Sequence, residues 1–186
     1  MSLTMQESTA VRTFSVGIPK ADELSAYYQG YLKYVNANDD LLQLIIKQRD
    51  EAQELLSSID ESRAGFAYAP GKWQLKEVVG HVCDTERIMS YRALCIARKD
   101  RTPLPGFDEN TYTPASNYSV RTLRNISEEL RTVRDATISL ISNFSQEMID
   151  YRGIANGVEL PVRAVIFMIY VHQQHHMRMI RERYLS

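Results

Sequence analysis

The chain has 186 residues, enough to bury a substantial core without disulfides or other staples. Its 22 Lys and Arg nearly balance 23 Asp and Glu, for a formal charge of −1, which gives no electrostatic ground for nucleic acid or an anionic membrane surface as partner. No apolar run approaches the roughly 18 residues of a bilayer span, and no basic start with an apolar core opens the chain, so the expected location is cytoplasmic. The two cysteines, Cys83 and Cys95, suit a reducing compartment and lie about three helical turns apart on one segment, too far to bridge.

Residues 4–19 show no sustained period. Pro19 precedes a helical start, and Ala21 to Tyr34 predicts a short helix with Leu24, Tyr27, Tyr28 and Leu32 on its inner side. This gives an N-terminal extension over 1–37 and a bundle domain over 38–186. Asn38 or Asp39 is the expected N-cap of the first long amphipathic helix, in which Leu41, Leu44, Ile45, Ala52, Leu55 and Ile59 recur at intervals of three, four and seven. That helix ends near Asp60, and Gly65, Pro70 and Gly71 make Glu61 to Lys72 a loop.

A second long helix is expected from Leu75 to about Arg98, with Leu75, Val78, Val79, Val82, Met89, Ala93 and Ile96 as its apolar stripe. Pro103, Pro105, Gly106 and Pro114 make Lys99 to Tyr118 a long non-helical loop, a length that usually carries function. Ile126, Leu130, Val133, Thr137, Leu140, Ile141 and Phe144 mark a third helix, capped by Asn125 with Glu128 reaching back. Gly153 and Gly157 interrupt the chain, and Pro161 suits the first turn of a fourth helix running to about Tyr184. Four amphipathic helices with no alternating strand pattern predict an all-α four-helix bundle.

Three of the four histidines, His172, His175 and His176, lie within five positions on the fourth helix, and His81 lies on the second. At about 100° per residue, His172 and His176 are one turn apart and about 40° around the axis from each other, so both rings reach one point beside the helix. His175 lies about 60° away on the other side, and spacing alone does not exclude it. Two readings are open: polar residues satisfied near a core, or ligands of a metal. Two imidazoles on a face with Val165, Met168, Ile169 and Met179 are costly to desolvate unless something pairs them, and neutral imidazole is a standard ligand for zinc, nickel, copper and iron. Cys83 points about 200° away from His81 and reads as core, as does Cys95. Asp84 and Glu86 stand near His81, where a carboxylate can orient an imidazole or act as a base, or be no more than a charged flank. Trp73 reads as an anchor for the loop before the second helix.

The run Pro70-Gly71-Lys72-Trp73-Gln74-Leu75-Lys76-Glu77-Val78-Val79-Gly80-His81-Val82-Cys83-Asp84-Thr85-Glu86-Arg87, then Tyr91-Arg92-Ala93 and Pro103-Leu104-Pro105-Gly106-Phe107-Asp108-Glu109, resembles the DinB/YfiT-like superfamily of metal-dependent enzymes. His172-Gln173-Gln174-His175-His176, followed by Ile180-Arg181-Glu182-Arg183-Tyr184, looks like its last helix. The resemblance covers roughly residues 40 to 184. It implies a bundle with helices up, down, down and up, often a homodimer, and a divalent metal held by His81, His172 and His176, with His175 as a supporting or packing residue. Zinc or nickel heads the list of metals, followed by manganese and iron. The chain has Gln74 where the family usually has a capping Ser, and Met177-Arg178-Met179 where many relatives have Arg-Gly-Gln.

What the resemblance implies for function is a hydrolase or a transferase using a low-molecular-weight thiol, acting on a small-molecule substrate. The reacting group is then a metal-activated water or thiol, with Asp84 and Asp108 as candidate catalytic carboxylates. The loop 99–118 has two open readings, a pocket wall through Asp108, Tyr112 and Tyr118, or a packed connection between the second and third helices. The alternative is a non-catalytic metal-binding or stress-response dimeric bundle. DNA binding is disfavoured by the balanced charge, since Arg178, Arg181 and Arg183 suit a helix C-terminus without any partner.

Overall fold

The computed structural model describes residues 14–186; the expectation for 4–13 lies outside the described residues. Four long helices, α2 (Leu41–Ser57), α3 (Leu75–Ala97), α5 (Leu123–Ser142) and α6 (Val162–Met179), form a four-helix bundle. Their polar contacts give the directions. Gln48 of α2 meets Arg134 of α5 while Gln53 meets Ser127, so α2 and α5 run antiparallel. Cys83 of α3 approaches Ile126 of α5 and Glu86 meets Arg134, so these two run parallel. His81, early in α3, meets His172 and His176, late in α6, so these run antiparallel. The order is therefore up, down, down, up, with consecutive helices α2 and α3 on opposite corners.

The apolar stripes predicted from the sequence face the core: Leu44, Leu55, Ile59 and Leu140 are part-buried, and Leu41, Ile45, Leu75, Val78, Val79, Ile126, Leu130, Ile141, Val165 and Ile169 are all at or below 3% exposure. Each such side chain contributes about 1.5–3 kcal/mol on burial.

The helix starts differ from expectation. Asp40, not Asn38 or Asp39, caps α2, its Oδ1 accepting from the Leu42 N–H at 3.0 Å. The same oxygen accepts from the Val16 N–H, and the Leu41 N–H donates to the Val16 carbonyl, which ties the extension to the helix start. Thr122, not Asn125, caps α5 through its Oγ1 and the Asn125 N–H. Asn125 instead accepts from Arg121, and Glu128 pairs with Arg124. At α3 only half of a capping box forms: the Gln74 N–H donates to Glu77 Oε2 at 2.7 Å, whereas Gln74 Oε1 is buried without a partner.

Three stretches depart from the sequence expectation. The segment Ala21 to Tyr34 is not one helix but two 3-10 turns around a single α-turn, α1 (Ala26–Gln29). Glu23 of this segment pairs with Arg163 of α6 at 2.6 Å and Leu24 enters the core, so tertiary contacts rather than helical period set its path. The loop 99–118 contains α4 (Glu109–Ala115), capped by Asp108, with Pro114 tolerated in its last turn.

The glycine-broken region is a β-hairpin, β1 (Arg152–Ala155) and β2 (Val158–Pro161), antiparallel across Asn156-Gly157. Both turn residues have positive φ, 51° and 75°, as a type I′ turn requires. Leu104 adds a short bridge to Ala155. Pro161 ends β2 and is the N-cap of α6 rather than its first-turn residue. No helix among the described residues is long and apolar enough to cross a membrane.

Candidate metal centre

The antiparallel α3 and α6 bring the three expected histidines together. His81 Nε2 lies 3.0 Å from His172 Nε2, and His176 Nε2 lies 3.1 Å from the same atom. One ring nitrogen from each of the three falls within 4.8 Å of the others. On α3 the neighbour of His81 is Gly80, where a Cβ would sit 2.3 Å from the Tyr118 ring. Only glycine lets Tyr118 close over this turn and hold it in place.

The electrostatics favour neutral rings. Burial pushes His81 down to about 4, partly opposed by Glu109. His172 keeps some exposure at a cavity wall, but its ring is enclosed, and burial, His81, His175 and Arg134 hold it at about 3. His176 is lowered well below the ordinary range by burial, then by His172 and His81.

Three neutral imidazoles meeting at one point cannot satisfy one another. Each has one N–H, and an Nε2 that donates to one neighbour has no lone pair for the next. Two nitrogens each about 2.1 Å from a shared ion stand about 3.0–3.4 Å apart at octahedral or tetrahedral angles, so the spacing, the donor type and the protonation state all fit a divalent metal. The cluster has three protein donors among the described residues, an incomplete set for a closed structural site.

A cavity of about 500 Å³ opens onto the histidines. From α3 it is lined by His81, Thr85, Met89 and Arg92, which recur at four, four and three residues along one face. Thr85 is buried with no partner for its Oγ1. Trp73 does more than anchor a loop: its ring lies 5.0 Å from that of His81, on the cavity wall, while its carbonyl accepts from the Tyr184 hydroxyl.

The expected loop wall is there in part. Phe107 and Glu109 line the cavity, but Tyr112 and Tyr118 line a separate, shallower depression. The remaining wall comes from the N-terminal extension, with Tyr27, Tyr28 and Tyr31, and from the hairpin, with Ala155, Asn156, Val158 and Leu160. Neither contribution is visible in the sequence, because both depend on tertiary placement of short segments. His175 stands between Tyr31, whose hydroxyl lies 3.1 Å from His175 Nδ1, and the edge of the His176 ring.

The structure does not bring Asp84 or Asp108 to the histidines. Asp84 accepts from the Tyr118 hydroxyl at 2.9 Å in the second depression. Asp108 is exposed and occupied as the α4 cap. Glu86 lies inside the bundle, where Arg134 donates to both its oxygens at 2.7 and 2.8 Å. Arg134 also donates to Gln48 Oε1 and to Gln173 Oε1, so one guanidinium ties all four long helices together.

Residues 44–180 match the DinB superfamily. The chain belongs to that family. A protein of Oceanobacillus iheyensis named as a candidate metal-dependent hydrolase is 26% identical over 133 residues, covering 69% of this chain and 74% of that one. Among solved structures, YfiT from Bacillus subtilis, described as a metal-dependent hydrolase candidate with an unusual four-helix bundle topology, superposes with a TM-score of 0.68 at 14% identity, over 76% of this chain and 82% of its own. A mycothiol-dependent maleylpyruvate isomerase superposes at 0.64 with 13% identity, over 87% of this chain but 62% of its own. A DinB-like protein from Bacillus cereus superposes at 0.58 with 17% identity, over 76% of this chain and 89% of its own. At these identities the structural likeness shows the fold.

Proposed function

We propose that the protein is a metal-dependent enzyme of the DinB superfamily, with a divalent ion held by His81, His172 and His176. Its reaction is hydrolysis or transfer to a low-molecular-weight thiol. The observation that carries this reading is the convergence of three neutral, mutually unsatisfied imidazole nitrogens at the wall of a 500 Å³ cavity. That volume accommodates a small organic substrate. The name of the Oceanobacillus relative supports hydrolysis, and the thiol-dependent isomerase among the structural neighbours supports a thiol.

When bound, the ion supplies Lewis acidity, lowering the pKa of a coordinated water or thiol and polarising a carbonyl. The chain's own residues do the rest. His81, His172 and His176 stay neutral because burial disfavours their charged forms, which keeps their lone pairs for coordination. Trp73, Tyr28, Met89 and Phe107 supply apolar surface that excludes water from a bound substrate. Glu109 lines the same cavity and its negative charge opposes the lowering of His81, which supports it as the carboxylate for proton exchange, in the role expected of Asp84 or Asp108.

The test is turnover by zinc-, nickel- or manganese-loaded protein on a panel of aryl esters and amides, and on electrophiles with cysteine or glutathione as thiol. The expected result is activity removed by chelation and by His172→Ala. Tightly held metal that no added thiol or anion reaches, with no turnover, would leave the non-catalytic bundle as the reading.

A further inference from the structure

The cavity contains a buried cation that the metal chemistry does not use. Arg92 is 5% exposed and lines the same cavity as the three histidines. Its Nη2 donates to the Pro105 carbonyl at 2.6 Å and its Nη1 points at Met89 Sδ at 3.5 Å. Among the described residues no carboxylate pairs with it, and burial lowers its pKa. An arginine buried without a counter-charge is costly, and the other deeply buried arginine among the described residues, Arg134, has a bidentate glutamate. The two carboxylates on the cavity wall do not fill the gap. Glu23 is engaged by Arg163 and the Lys20 N–H, and Glu109 is exposed and makes no ion pair with Arg92.

Arg92 follows His81 by eleven residues on one helix, about 20° around the axis and about 16 Å along it. Long side chains on a helix lean towards its N-terminus, so the guanidinium reaches back towards the histidines and the two ends stand on the order of 10–15 Å apart. Between them Met89 offers apolar surface and Thr85 Oγ1 a polar atom without a protein partner.

We infer that Arg92 is the anion-binding end of the substrate site, so that the substrate is an elongated small molecule with its reacting group at the histidines and a carboxylate, or a comparable planar anion, at Arg92. A guanidinium fork matches a carboxylate in two parallel hydrogen bonds, which fixes the substrate's direction in the cavity. This inference rests on the proposed metal-dependent function and names its substrate class.

The experiment uses zinc-loaded protein and isothermal titration with 6-mercaptohexanoate and with 6-mercaptohexanol, which differ only in the terminal anion. Zinc content and mercaptoethanol affinity report the metal end separately. Wild type should bind the carboxylate at least about tenfold more tightly than the alcohol. In Arg92→Gln that preference should vanish while zinc content and mercaptoethanol affinity hold. Should Arg92→Gln not fold, Arg92→Lys, which keeps the charge without the fork, should bind the carboxylate more weakly than wild type. Equal affinities in wild type, or a preference that survives Arg92→Gln, would overturn the anion site while leaving the metal function intact. Protein that takes up no zinc, or zinc that mercaptoethanol does not reach, would overturn the proposed function and this inference with it.

Discussion

Two polar clusters lie inside the bundle, almost adjacent along the chain and opposite in character. Glu86 follows His81 by five residues and Gln173 follows His172 by one, yet the first of each pair belongs to a closed network and the second to an open one. Around Arg134 the donors and acceptors answer each other: two bonds to Glu86, one each to Gln48 and Gln173, while Gln48 Nε2 donates to the Tyr170 carbonyl. Around the histidines they do not. The Nε2 of His172 faces two neighbouring ring nitrogens but can serve only one of them, as donor or as acceptor, and His176 Nδ1 is buried with no partner. A buried network whose members are all satisfied specifies how the helices pack, whereas one whose members face a cavity unsatisfied is arranged for something that is not part of the chain.

The largest effect expected from this contrast is in the closed cluster. Arg134→Met leaves the Glu86 carboxyl without its partner in the interior and should destabilise the protein by about 3–5 kcal/mol, read from the shift in urea midpoint. The double variant Arg134→Met, Glu86→Leu should cost far less than either single change, because no orphaned charge is left behind. A double variant as damaged as the singles would show that the network's hydrogen bonds, rather than its balance of charge, hold the helices.

The open cluster should respond to metal instead. At free zinc about 100 times its dissociation constant, folding stability should rise by about 2.7 kcal/mol, seen as a concentration-dependent increase in Tm. His172→Ala should abolish that increase. If zinc stabilised His172→Ala and wild type equally, the ion would be binding elsewhere.

The same rings set an acid dependence for the metal-free protein. Unfolded histidine titrates near 6.5, whereas the folded values are about 4 for His81 and about 3 for His172. Between these limits the unfolded chain binds more protons than the folded one, so stability should be full above about pH 7 and fall as pH drops from 6.5 towards 4. Replacing His81 and His172 by Ala should flatten that part of the profile in urea titrations at successive pH values, and an unchanged slope would contradict the buried, neutral assignment.

The smallest effect marks the boundary of the open cluster. Asp84 belongs to the Tyr118 contact rather than to the cavity, so Tyr118→Phe should cost about 1 kcal/mol and leave metal stoichiometry unchanged. A loss of metal in Tyr118→Phe would place Asp84 in the site after all.

Much of this was legible in the sequence, and the exceptions have physical causes. The four long helices follow from apolar residues recurring at three and four, and the spacing of His172 and His176 on one helix follows from the same geometry. The closed cluster had a signal as well. Gln48 breaks the α2 stripe between Ile45 and Ala52, Glu86 breaks the α3 stripe between Val82 and Met89, and Arg134 sits beside Val133 on the α5 stripe, four residues after Leu130 and three before Thr137. A polar residue at the middle of several apolar stripes predicts a shared buried network, although which residue meets which depends on helix order. The hairpin was signalled by Asn156-Gly157 but hidden by strands of only four residues, too short for alternation to register. Pro114 concealed α4, since a proline at the end of a short helix looks the same in sequence as one that prevents it. Arg92 gave no signal, because its meaning depends on the absence of a carboxylate that only the packed structure can show.

The most direct measurement is the metal content of purified, untagged protein by elemental analysis, before and after reconstitution with zinc, nickel or manganese, for wild type, His81→Ala and His172→Ala. The account predicts about one divalent ion per chain in wild type and none in either variant, with α-helical content unchanged. Wild type that holds no metal under any of these conditions, or variants that hold it as well as wild type does, would contradict the three-histidine centre.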